Sequence, residues 1–87
     1  MTDLLTSEQL RAARAILRLE QRGLSDVSKV SIATIKRLEA APGELVANRP
    51  TIAALQRALE SAGIVFIGEN GGGPGVRLRE RVTTKHG

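Results

Sequence analysis

The chain has no cysteine, tryptophan or tyrosine, a single phenylalanine (Phe66) and a single histidine (His86). Without cysteine there are no disulfides, no thiolate nucleophile and no cysteine-ligated zinc, and nothing calls for an oxidising compartment. The scarcity of aromatic residues argues against RNA or single-stranded nucleic acid as ligand, because those modes rest on stacking platforms. Duplex DNA stays open. His86 stands one residue from the end, where it reads as a solvated tail residue; no metal site and no cofactor is expected, since a metal needs several converging donors. With no internal histidine, no cysteine and no supported carboxylate pair, the chain is not expected to be an enzyme. Long apolar runs are missing too: Ile64 to Ile67 is the longest aliphatic stretch, far too short to span a bilayer, and Met1-Thr2-Asp3 lacks the basic start of a signal peptide. A cytoplasmic protein without a membrane partner is expected.

What is present is aliphatic and mildly basic. Eighty-seven residues make one domain, and a domain this small buries a modest share of its surface, so dimerisation would help it. The net charge of +4 suits an anionic partner without identifying one, and the basic residues form no dense block.

The first helix is predicted to start at Thr6, which with Gln9 has the spacing of a reciprocal cap, while Leu5 and Leu10 have that of its apolar staple. Leu10, Ala13, Ile16 and Leu17 would face inward, and Arg11, Arg14 and Arg18 would lie on a solvated surface. A second helix from Gln21 to Ser28 would bury Leu24 and Val27; it is weak in itself, because Gly23 costs about 1 kcal/mol against Ala. Val30, Ser31 and Ile35 fit the start of a third helix in which Ser31 caps and the flanking pair packs. Ile35 and Leu38 would point inward, leaving Ile32, Ala33, Lys36, Arg37 and Ala40 as a face of small and basic groups able to enter a groove.

Pro42-Gly43 signals a turn and Pro50 a stop, so the fourth helix is predicted from Thr51 as its cap, with Ile52, Leu55, Leu59 and Ala62 in one stripe and Gly63 ending it. The run from Ile64 to Ile67, the glycine-rich Glu69 to Gly75 and the alternating Val76-Arg77-Leu78-Arg79 read as a small hairpin. The glycine-rich loop is a turn rather than a phosphate cradle, because neither a Gly-Lys-Ser/Thr nor a helix start follows it. The expected architecture is mainly α, a compact four-helix domain over residues 1–63, a hairpin over 64–79 and a disordered tail over 80–87.

Gln21 through Ala40, with Gln21 opening the second helix, Leu24, Val30, Ile35 and Leu38 as core and Ser31 as cap, resembles the helix-turn-helix of phage-repressor (Cro/repressor type, XRE family) regulators. The LRAARAIL stretch, the helix from Thr51 and the tail ENGGGPGVRLR extend the likeness, the tail looking like that of a group of short bacterial members. This resemblance implies a lambda-repressor-like fold and a sequence-specific regulator of transcription whose third helix enters the major groove of double-stranded DNA. On it, Ile32, Ala33, Lys36 and Arg37 would face base edges, and Gln21, Lys29, Ser31, Thr34 and Arg49 would meet phosphates. Because one such helix reads few base pairs, a homodimer on half-sites about 34 Å apart is expected, through the strands carrying Ile64, Phe66, Val76 and Leu78. The chain departs from the family at Lys29, where glycine is usual, at Ser25, where alanine is, and at Glu20, where a neutral cap is. The alternative is a helix-turn-helix that has lost its DNA face and binds another regulatory protein, as an antiactivator or antitoxin does.

Overall fold

A computed structural model describes residues 5–68 and 71–80; Met1 to Leu4, Glu69, Asn70 and the tail over 81–87, including His86, lie outside them. Among the described residues are four helices, α1 (Ser7–Leu17), α2 (Gln21–Ser28), α3 (Ile32–Ala40) and α4 (Arg49–Ser61), followed by two strands, β1 (Ile64–Ile67) and β2 (Gly75–Leu78). The fold is mainly helical with a C-terminal antiparallel hairpin, as the sequence predicts.

Helix α1 opens with the expected reciprocal cap. Thr6 Oγ1 accepts from Gln9 N–H at 3.0 Å and Gln9 Oε1 from Thr6 N–H at 3.0 Å, while Leu5 and Leu10 are both buried. Leu10 and Ala13 face the core, with Leu17 packed against it, but Ile16 is exposed, contrary to expectation. It lies about 100° round the helix from Leu17, off the stripe that the other three share.

In α2 the buried line runs through Leu24 and Ser28, and Val27 is 61% exposed rather than buried. Val27 stands on the rim of a groove between α2 and α4, where α4 presents Ala54 and Ala58, side chains too short to cover it. A Cβ at Gly23 would stand 2.7 Å from Leu19 Cδ1, the far end of a side chain that would have to shift. The helix ends at Lys29 with φ of 67°, the left-handed conformation that glycine adopts more cheaply. Two serines tie the turn that follows, Ser25 Oγ donating to Val30 O at 2.6 Å and Val30 N–H donating to Ser28 Oγ at 3.1 Å.

Helix α3 is capped by Ser31 as read, and Ile35 and Leu38 are buried beneath it. The connection to α4 is laced to the start of α1 and the residues before it by Ser7 N–H on Gly43 O at 2.8 Å and Leu45 N–H on Leu5 O at 2.9 Å, so Leu45 joins the core. Helix α4 begins earlier than predicted. Asn48 is its cap, accepting from Thr51 N–H at 2.9 Å, and Pro50 lies inside the first turn rather than stopping the chain. First-turn N–H groups have no intrahelical acceptor, so a residue without one loses nothing there. Ile52, Leu55 and Leu59 are buried, whereas Ala62 is exposed at the helix end, and Gly63 leaves the helix at φ of 111°.

The hairpin pairs Ile64 with Leu78 and Phe66 with Val76. Gln9 holds it to α1: its Nε2 donates to Ile67 O at 3.1 Å and to Gly75 O at 3.0 Å, one strand on each side. No helix among the described residues is long and apolar enough to cross a membrane.

Candidate nucleic-acid interface

The outward side of α3 follows from its inward side. With Ile35, Leu38 and Glu39 buried, the helical period leaves Ala33, Lys36, Arg37 and Ala40 exposed and Ile32 half-buried at the start. All four residues expected to face base edges therefore sit on one helix with their outer surface free. Arg37 is partly engaged, donating through Nη1 to the backbone carbonyl of Val46 at 3.3 Å across the connection to α4. Lys36 makes no hydrogen bond or ion pair among the described residues.

Three of the five residues expected at phosphates line one shallow cleft of about 390 Å³. Its walls are Lys29, Ser31 and Thr34 on one side and Pro50, Thr51 and Ala54 of α4 on the other. Ser31 Oγ accepts from Thr34 N–H at 3.1 Å and donates to Thr34 Oγ1 at 2.9 Å, which fixes both hydroxyls at the mouth. Two helices begin at this cleft, α3 after Ser31 and α4 after Asn48, and their starts carry partial positive charge; the N–H groups of Ile32, Ala33 and Arg49 have no intrahelical acceptor, whereas those of Thr34 and Thr51 are taken by the caps and Pro50 has none. Arg49, exposed in the first residue of α4, stands at the same end, and no acidic side chain lines the cleft. Such an arrangement suits an oxyanion. The sequence reading missed α4's share in it by starting that helix too late; Asn48 directly before Arg-Pro was the available signal.

Gln21 is drawn elsewhere. Its Nε2 donates at 2.9 Å to Oε1 of Glu39, a buried carboxylate in the last turn of α3. Arg14 grips the same carboxylate with Nε and Nη2, each at 2.7 Å, and its Nη1 donates to Leu19 O at 3.0 Å, just ahead of α2. The hydrogen bond to Glu39 is the main cause of the raised Arg14 pKa. Arg14 thus bridges α1 to α3 and to the turn ahead of α2, and is not the solvated surface residue expected. Nothing at sequence level singled out the partner, which is 25 residues away. Glu20 precedes α2 but makes no side-chain cap.

The strand residues named for dimerisation share one face of the hairpin. Ile64 is only 1% exposed and belongs to this chain's own core, against which Phe66, Val76 and Leu78 also pack. Val65, Ile67 and Arg77 alternate onto the other face. No cluster of three or more His, Cys, Asp or Glu side chains that could hold a metal occurs among the described residues. Comparison with protein-family models and with curated proteins finds no match to this chain.

Proposed function

We propose that this protein is a sequence-specific double-stranded DNA-binding regulator of transcription, a repressor or autoregulator of the phage-repressor type, working as a homodimer in the cytoplasm. The carrying observation is the continuity of one surface: the free outer side of α3 with Ala33, Lys36 and Arg37, and at the start of that helix the acid-free cleft of Lys29, Ser31 and Thr34 against α4. On this reading the cleft and Arg49 hold backbone phosphates and set the register. Lys36 or Arg37 then reaches guanine acceptors, and Ile32 or Ala33 meets a thymine methyl. Phosphate contact predicts its own signature, a fall of log affinity with log salt of slope about −0.9 per phosphate neutralised.

Selection of bound fragments from a random duplex pool at about 50 mM salt, where phosphate contacts are strongest, tests this directly. A recovered motif with two half-sites about one helical turn apart is the expected result. Failure to retain any duplex overturns the reading.

A protein-interaction module is the second reading, and two contacts favour it: Arg37 is engaged by Val46 O and Gln21 by Glu39, so two groups expected at DNA already have partners. It predicts no duplex retention at all.

A further inference from the structure

We infer that Glu39 is a positioning residue for DNA binding, acting through Gln21; the inference rests on the regulator reading above. Glu39 lies on the inward side of α3: the residue is 7% exposed, and the helical period turns it about 160° from Arg37. Its carboxylate meets three donors, two from Arg14 at 2.7 Å and Nε2 of Gln21 at 2.9 Å, while its backbone carbonyl accepts from Ser7 Oγ at 3.0 Å. One end of this cluster is immobile, because Arg14 approaches as a fork, in two parallel bonds to one carboxylate.

The immobile carboxylate decides how Gln21 stands. A carboxylate can only accept hydrogen bonds, and a glutamine carboxamide has a donor side and an acceptor side, so Glu39 selects the orientation that turns Nε2 toward itself. That bond uses one of the two Nε2 hydrogens. The second remains on a half-buried side chain in the first residue of α2. A phosphate oxygen, likewise an acceptor only, needs that second hydrogen, and without Glu39 the carboxamide is free to turn its oxygen outward, toward like charge. Glu39 therefore holds Gln21 in the one orientation that donates inward and outward together. Because the same carboxylate sits on α3, it also ties the start of α2 to the reading helix, so the phosphate contact and the base contacts keep one register.

A double-mutant cycle on the full chain tests this, with affinity for its selected duplex read by fluorescence anisotropy. Each of Glu39→Gln and Gln21→Ala should weaken binding about tenfold, the size of one lost hydrogen bond to a charged group. The double variant should be no weaker than either single one, because both changes remove one contact. Circular dichroism melting shows that each variant is folded at the assay temperature. If Glu39→Gln is not, Glu39→Asp, which keeps the charge for Arg14 but withdraws the carboxylate by one methylene, takes its place with the same expectation. Losses that multiply to about a hundredfold in the double variant overturn the inference, since Glu39 then acts independently of Gln21. So does an unchanged affinity in the folded Glu39 variant. If wild-type protein retains no duplex, the regulator reading fails and this inference with it, whereas a wild type that binds with an additive cycle leaves the regulator reading standing.

Discussion

Lys29 shows at a single residue how stability and the proposed binding pull apart. Its φ of 67° is costly for a residue with a Cβ, and it lines the cleft where two helices begin. Lys29→Gly is expected to raise stability by about 1 kcal/mol in urea denaturation while lowering the salt slope of duplex binding by about 0.9. Glu39 behaves in the opposite way, because its cost of removal is structural as well. Glu39→Ala would leave the Arg14 guanidinium, 21% exposed, without its partner, and a loss of about 3 kcal/mol is expected in the same measurement. The arginine's raised pKa sets the sign of its pH dependence: the stabilisation is complete below the ordinary arginine range and fades only as pH rises above it, so no loss from this group falls near neutrality.

The elements of this fold are held by caps and by one glutamine more than by their own propensity. Whether α4 starts at Asn48 or Thr51 has a direct test, since Asn48 Oδ1 is the acceptor for Thr51 N–H. Asn48→Ala should cost about 1 kcal/mol by thermal or urea unfolding, and Thr51→Ala less than about 0.5 kcal/mol. Gln9 has a double duty, closing the cap of α1 with its oxygen and bridging both strands with its nitrogen. A two-stranded hairpin is marginal alone. Gln9→Ala should therefore cost about 3 kcal/mol, three hydrogen bonds at about 1 kcal/mol each, and hydrogen exchange should speed up in β1 and β2 before it does in α4.

For the molecule as a whole, the packing of the hairpin restricts how a second copy could add. The hairpin's apolar face is already spent on this chain's own core, so a pairing between copies has the strand backbone edges or the face of Val65, Ile67 and Arg77 to use. Ile64→Ala is expected to destabilise the fold by about 2 to 5 kcal/mol and to leave the oligomeric mass in sedimentation unchanged while the chain remains folded. A shift of that mass would mean that Ile64 lies between copies.

Much of this was written in the local order of residues. The caps at Thr6 and Ser31, the short α2 and the glycine after α4 all depend on contacts within a few positions, and there the spacing of side chains fixes the geometry; the strands pair across one short loop. The same locality identifies the outer face of α3, since burying Ile35 and Leu38 leaves Lys36 and Arg37 no other place. What spacing could not decide is what each inward-reading stripe would find opposite it. Val27 has the right period but faces short alanines of α4, and Ile16 lies just off the stripe that the other elements cover. Arg14 reads as one more solvated arginine until folding carries Glu39 to it, and the cleft at Lys29 exists only because α4 begins beside α3. Local spacing and caps thus determined the elements and most of their inward faces, because helices and strands are made by neighbours in the chain. Partnership between residues far apart was decided by the packing of the helices, because burial and charge pairing depend on what stands across the gap.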